Sequence, residues 1–325
     1  MSLGNPERPV GGLAVRPPAG VELRPVGRAD LADAVRLARA QRGLPGTADP
    51  AALSGRFDAL LDSVDVVPFL AVDGPDAIGL GILHFRRRLN FAPFEGAISE
   101  LFVVEGERGR GVGRALLQAL IAEWRLRGSH RLQAKVPDGA TAAAELFRAA
   151  GLRDWMLDFQ LRPVEAPPSD PVAGLGMRPA AAEDFHAVTA LIGQFGAART
   201  PAADRTDAVR RTYAAHLADI AAGRGLCTVA ETDEAVVGVC AVAWQRPFWT
   251  DEVHAWLPDL MVDEAHRGRG IGRALLADTI ARAEGMGAAQ LSLESGPARE
   301  AAHGLYRSMG FTEPGHSWVL RSDST

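Results

Sequence analysis

Two short glycine-rich turns are the residues of this chain best suited to chemistry: RGRGVG (Arg108 to Gly113) and RGRGIG (Arg267 to Gly272), each set between an apolar run and a helix-period segment. Alternating glycines let a backbone curl with several N–H groups turned inward and no side chain in the way, at the positive end of a helix dipole. Such a pocket suits a pyrophosphate. Other phosphate-binding turns fit less well. A Walker loop needs Gly-Lys-Ser or Gly-Lys-Thr, and neither turn holds a lysine. A dinucleotide fold needs its third glycine one residue later, and an acid about 20 residues on at a strand end. A purely structural turn is the remaining alternative, and finding the turn twice with the same flanks weakens it.

The elements that must position the turns recur as well. A shift of 159 residues lays Leu101 to Leu117 (LFVVEGERGRGVGRALL) on Leu260 to Leu276 (LMVDEAHRGRGIGRALL) without a gap. The same shift pairs AIGLG at Ala77 with VVGVC at Val236, and ELFRAAGL at Glu145 with GLYRSMGF at Gly304. A fixed offset of this kind marks duplicated units. VELRPV at Val21 and GLGMRPA at Gly174 open the halves, followed by Asp-containing start signals and helix-period runs, Leu31 to Ala40 and Phe185 to Phe195. Pro163 to Gly174 holds four prolines in twelve residues and no apolar period, which reads as a linker. The chain thus divides into a flexible leader (1–20), a first domain (21–162), the linker (163–174) and a second domain (175–325).

Each half orders as strand, helix pair, two strands, a strand entering the glycine turn, a long helix, a strand, a helix and a closing strand. The first half's strands are expected at Phe69 to Val72, Ile78 to Phe85, Ser99 to Val104 and Leu132 to Val136. Helical spacing makes Leu116, Leu117, Leu120, Ile121 and Trp124 core in the first long helix, and Leu275, Leu276, Thr279 and Ile280 core in the second. The fold class is α/β, a twisted mixed sheet flanked by helices in each half.

Composition removes several partners. With 325 residues, 47% hydrophobic and 23% charged, the chain is built like a globular protein of two domains. A net charge of -5 offers no field for nucleic acid or anionic lipid. The longest strongly apolar stretch, Val236 to Trp244, is half the roughly 20 residues that span a bilayer, so no membrane is expected. The N-terminus lacks a signal-peptide pattern. Cys227 and Cys240 lie in apolar runs without Cys-x-x-Cys spacing and read as buried reduced thiols, which suits the cytoplasm. No metal is expected. Lys135 is the single lysine among 35 basic residues, and the arginine excess reads as coding bias rather than phosphate recognition.

Strand, Arg-x-x-Gly-x-Gly turn and helix together resemble the GNAT superfamily of acyl-CoA N-acyltransferases, over 21–162 and 175–320. In that family the strand before the turn is bulged and splays from its neighbour, so that its backbone can bond the pantetheine arm and the thioester carbonyl. The resemblance therefore implies acetyl-CoA, with these backbone groups at Leu260, Met261 and Val262. It implies a pyrophosphate cradle at Arg267, Gly268, Arg269, Gly270, Ile271, Gly272 and Arg273. The first half offers Leu101, Phe102 and Val103, then Arg108, Gly109, Arg110, Gly111, Val112, Gly113 and Arg114, in the same places.

Aminolysis of a thioester needs a neutral amine, an oxyanion stabiliser and a proton for the leaving thiolate. The resemblance implies a general base at Glu294 in LSLES and a general acid at Tyr306 in GLYRSMGF, with Asp259 as the competing base. The first half has Lys135 and Phe147 at the two positions, so it keeps the cradle and lacks the proton handlers; Glu100 matches Asp259. The family's frequent Asn is replaced by Arg299 and Ala140. The expected reaction is direct acetyl transfer to a primary amine of a small molecule or peptide, in the second half.

For the acceptor, Trp244, Phe248, Trp249, His254 and Trp256 crowd one region with Asp251 and Glu252. Trp249, His254 and Glu252 are the candidate contacts to a cationic amine. The alternative, that these aromatics pack against the other domain, stays open. Two other readings stand beside the enzyme: a non-catalytic acyl-CoA sensor or scaffold, and a protein-lysine acetyltransferase.

Overall fold

The computed structural model describes residues 16–44, 50–89, 91–168, 171–194, 202–233 and 235–322. Its first half runs β1 (Val21–Pro25), α1 (Leu31–Ala40), α2 (Pro50–Asp62), β2 (Val66–Asp73), β3 (Asp76–Arg88), β4 (Phe91–Val103), α3 (Val112–Leu126), β5 (Arg131–Pro137), α4 (Thr141–Ala149) and β6 (Arg153–Leu161). The second repeats the series as β7 (Gly176–Pro179), α5 (Phe185–Gly193), α6 (Ala202–Ala221), β8 (Gly225–Glu231), β9 (Val236–Gln245), β10 (Val253–Val262), α7 (Ile271–Gly285), β11 (Ala288–Ser295), α8 (Glu300–Ser308) and β12 (Thr312–Arg321). Residues 1–15 of the leader, 169–170 of the linker and Phe195 lie outside the described residues.

Local sequence accounts for most of these elements. Leu116, Leu117, Leu120, Ile121 and Trp124 of α3 are all buried, as are Leu275, Leu276, Thr279 and Ile280 of α7, one apolar stripe in each case. β3 runs three residues past the apolar alternation, through Arg86, Arg87 and Arg88, because each guanidinium finds a carboxylate. Arg86 and Arg88 bond Glu95 of β4 at 2.7 and 2.9 Å, and Arg87 lies 3.5 Å from Asp65 and 3.4 Å from Asp219.

The strands form one mixed sheet in the order β1-β2-β3-β4-β5-β12-β6-β11-β10-β9-β8-β7. The closing strands are exchanged. β12, at the end of the second half, pairs with β5 from Gly315↔Pro137 to Arg321↔Arg131, while β6 of the first half pairs with β11. The exchange joins two mixed sheets edge to edge and leaves no open strand edge at the junction. Gly315 permits it, since a Cβ there would collide with the Val136 carbonyl. Side chains follow their strands: Trp318 of β12 packs with Leu116 and Trp124, while Phe159 and Leu161 of β6 join the core around Leu275 and Ile280.

The hairpin tips on the other face are exchanged too. Phe248 and Trp249, between β9 and β10, are buried with Ala34, Leu53 and Phe57 of α1 and α2. Leu89, between β3 and β4, is buried with Phe185, Leu191 and Tyr213 of α5 and α6. Arg56 clasps the first of these tips, its guanidinium bonding the carbonyls of Thr250 and Glu252 at 2.8 Å.

Candidate active site

Each glycine turn begins where a strand leaves its neighbour. β4 pairs with β5 only from Gly96↔Leu132 to Ile98↔Ala134, and β10 pairs with β11 only as far as Trp256↔Ser292. Beyond these points β4 and β10 run alone on that side. A register shift marks the departure in both: one residue is inserted in β4 between the partners of Leu83 and Ile82, and one in β10 between Trp256 and Asp259. The bulged, splayed strand implied by the resemblance is therefore present twice.

Ladder alternation decides which backbone groups face each gap. Asp263 N–H bonds Val237 C=O at 2.8 Å and Val104 N–H bonds Ile78 C=O at 2.9 Å, so alternate residues back along each strand use the inner ladder. Leu260 and Val262, and likewise Leu101 and Val103, turn their polar groups to the gap; Met261 and Phe102 do not. The first arginine of each turn folds back onto the strand end, Arg267 Nε to Val262 O at 3.3 Å and Arg108 Nε to Val103 O at 3.1 Å. In the first half Gln41 Oε1 accepts from Leu101 N–H at 3.2 Å.

The turns have the expected cradle shape. Gly109, Gly111, Gly268 and Gly270 have φ of +80, +92, +76 and +84°, a left-handed backbone that disfavours side chains. After Arg267, the next backbone N–H in the segment bonded to a carbonyl is Ala274, on Gly270 O; in the first half it is Ala115, on Gly111 O. The N–H groups of Gly268–Arg273 and of Gly109–Arg114 are thus left for an anion at the N-termini of α7 and α3. Arg269 is exposed, Arg110 is paired with Asp73 at 2.9 Å, and Arg273 bonds Ser308 at 2.6 Å.

Tyr306 stands on α8, 7% exposed, with its ring between Phe159 (5.1 Å) and Phe311 (5.9 Å). Burial pushes its phenol up to about 12, so the hydroxyl stays protonated; among the described residues the hydroxyl has no hydrogen-bond partner. Phe147 fills the equivalent place on α4, also buried.

The carboxylates sort differently. Glu294 is wholly buried: Arg88 lies 2.6 Å away, Lys135 3.4 Å and Arg86 3.8 Å, and Trp256 Nε1 donates at 3.1 Å. Burial would raise its pKa, but Lys135, Arg86, Arg88 and the indole N–H outweigh this and hold the carboxyl well below the usual range. A group so clamped is a poor proton acceptor near neutral pH. Asp259, on the free run of β10, accepts from Leu89 N–H at 2.7 Å through Oδ2, while Oδ1 is buried without a partner. Burial pushes it up to about 6, against Arg88 and the Leu89 N–H. Its counterpart Glu100 is held by Arg42 at 2.6 and 2.7 Å and by the Trp249 indole.

Of the acceptor candidates, Phe248 and Trp249 pack on the first half, with Trp249 under the Arg42 guanidinium at 3.8 Å. His254 bonds Glu252 at 3.1 Å, and Glu252 meets Arg162 at 3.0 Å. Both line a chamber of about 1560 Å3 between the halves, with Trp244, Trp249, Trp256, Arg86 and Lys135. The chamber reaches the first half's gap at Ser99 and Glu100. Toward the second half its floor is Trp256, where the first half has Ala97, and Arg86 and Arg88 stack on that indole at 3.8 and 4.9 Å. Sequence reasoning missed Arg42, Arg88 and Leu89. The one available signal was the run of three arginines at the β3 end, too hydrophilic for a free hairpin tip to bury.

A strand that splays from its neighbour and enters a glycine cradle at a helix N-terminus, built twice, defines a tandem acyl-transferring α/β fold. The chain belongs to the acetyltransferase (GNAT) family, which matches residues 35–152 and 196–311 and whose members use acyl-CoA. It is 33% identical over 118 residues to N-acetyltransferase 8 of Homo sapiens (35% of this chain, 52% of that protein). It is 32% identical over 115 residues to N-acetyltransferase family 8 member 2 of Rattus norvegicus (34% and 51%), so the match spans about half of these relatives. In fold it is similar to a GCN5-related N-acetyltransferase from Sphaerobacter thermophilus (TM-score 0.61, 21% identity, covering 94% of this chain and 95% of that one). It is equally similar to a tandem GNAT protein from the clavulanic acid biosynthesis pathway (TM-score 0.61, 18% identity, 94% and 99%).

Proposed function

We propose that the chain moves an acetyl or other acyl group from acyl-CoA to a primary amine, and that the second half performs the chemistry. The observation that carries this reading is the gap between β10 and β11. Leu260 turns free backbone groups into it and Val262 its N–H, the Gly268–Arg273 cradle lies at its mouth, and this half holds the phenol. The N–H groups of Gly268–Arg273 fit the pyrophosphate and the β10 edge fits the pantetheine arm; the bound thioester supplies an activated carbonyl. Asp259, buried with Oδ1 unpaired and its acidity near neutral, takes the ammonium proton of the acceptor. Tyr306, protonated throughout, holds a proton for the leaving sulfur. Glu294 serves as a buried anchor between the halves.

The linker at 163–174 then separates a first half that keeps the cradle from a second half that also keeps the acid. Human N-acetyltransferase 8, by its name, favours acetyl as the group and nitrogen as the acceptor. Use of acyl-CoA beside two buried free thiols, Cys227 and Cys240, suits a reducing cytoplasm; among the described residues no helix is long and apolar enough to cross a membrane. Thiol release from acetyl-CoA over a panel of small amines and lysine peptides tests the reading. Release that depends on an amine is expected; tight acetyl-CoA binding without release over the whole panel would turn the assignment to a sensor. Release with peptides alone would select the protein-lysine reading.

A further inference from the structure

The second half's site is not finished by its own residues. Arg88 and Leu89 come from the tip between β3 and β4, in the first half, and reach 170 positions along the chain. Arg88 Nη1 donates to Pro258 O at 2.8 Å, beside the bulge of β10, and Leu89 N–H donates to Asp259 Oδ2 at 2.7 Å. The same guanidinium bonds Glu95 at 2.9 Å and Glu294 at 2.6 Å, which fixes its direction. Leu89 is locked by its own side chain, 2% exposed among Phe185, Leu191 and Tyr213. The contact is mirrored: Trp249, from the second half's tip, bonds Glu100, the counterpart of Asp259.

We infer that Arg88 and Leu89 are positioning residues for acyl transfer in the second half, holding Asp259 on β10 with Oδ2 anchored and Oδ1, buried and unpaired, left as the oxygen that takes the acceptor's proton. This rests on the reading of Asp259 as the base. The groups that face Asp259 are few. Arg88 of β3 and Arg131 of β5 favour its anion, Glu95 of β4 opposes it, and Cys227 of β8 and Cys240 of β9 stay neutral. Removing the Leu89 N–H or displacing the Arg88 charge leaves the anion less supported.

Two full-length variants test this. Leucic acid at position 89 replaces one amide by an ester, deleting the N–H while keeping the buried side chain; Arg88→Lys keeps a charge and loses the forked geometry. The readout is the pH at which kcat/KM falls on the acid side, whatever the height of the plateau. Both limbs should move upward by about one pH unit, so that activity at the parent's midpoint drops about fivefold more than on the plateau. An unmoved limb in the ester variant overturns the inference, even if Arg88→Lys fails to fold. Asp259→Asn separates the two levels: full turnover in that variant removes the base reading itself, whereas lost turnover with an unmoved ester limb removes only the positioning role.

Discussion

Lys135 and Glu294 occupy the same position of the two repeats, and in the folded chain they meet, Nζ 3.4 Å from Oε1. Lys135 also lies 2.5 Å from Asp158, which faces Glu294 across the β6–β11 ladder. The pair forms because β12 and β6 change places, which brings β5 of one half near β11 of the other. Residues that a sequence comparison reads as a substitution are the two ends of one ion cluster.

Breaking that cluster should cost stability rather than chemistry. Glu294→Gln leaves Arg88 and Lys135 facing a neutral amide, and loss of one partner of a buried pair costs about 3–5 kcal/mol. Urea unfolding should show a drop of about 3 kcal/mol, while kcat/KM of the folded fraction stays within about tenfold of the parent.

Acid should unfold the chain through the same cluster. Glu95 is held at about 2 because Arg131, Arg88 and Arg86 outweigh the burial that would raise it, and Glu294 is lowered likewise. Their folded acidities lie below the unfolded value of about 4.3, so their contribution is full above that pH and is lost as pH falls toward 2. Thermal melts from pH 6 to pH 2 should fall steeply below pH 4, and less steeply in Glu95→Gln.

Asp259 carries the opposite sign. Its folded value of about 6 lies above the unfolded value, so its stabilisation is complete below the unfolded pKa and is lost as pH rises through 6. Asp259→Asn should therefore gain about 1–3 kcal/mol at pH 8 and lose turnover by about 100-fold or more. Turnover of the parent should rise with pH through about 6.

Tyr306→Phe reproduces in the second half what Phe147 already is in the first. Packing against Phe159 and Phe311 survives, so the melting temperature should move by less than about 3 °C. The rate should fall by about 100-fold or more with acetyl-CoA affinity within about threefold, read by stopped turnover and calorimetry.

The two cradles can be separated by one methyl each. A Cβ at Gly270 (φ +84°) or Gly111 (φ +92°) forces a left-handed alanine, costing roughly 1–2 kcal/mol and disturbing the turn. Gly270→Ala should abolish turnover. Gly111→Ala should leave it, while lowering the acetyl-CoA stoichiometry if the first cradle binds in the parent.

Much of the site was legible in the chain because its signals are local. The cradles depend on glycines two residues apart, α3 and α7 on a stripe of period 3.6, and the phenol on a single helical position that the repeat aligns. These need no knowledge of what lies across the molecule. The arginine run at the β3 end carries no local signal of its partners, because Glu95, Asp219 and Glu294 come from three different elements.

By itself, then, the sequence determined two halves of one fold, the turns that suit a pyrophosphate, and an asymmetry between Tyr306 and Phe147. Only the tertiary structure decided what surrounds the carboxylates. A carboxylate's role depends on burial and on the charges within a few ångströms, and here those charges arrive through exchanged strands and hairpin tips. Arg88 and Lys135 clamp Glu294, while Leu89 holds one oxygen of Asp259 and leaves the other buried and unpaired.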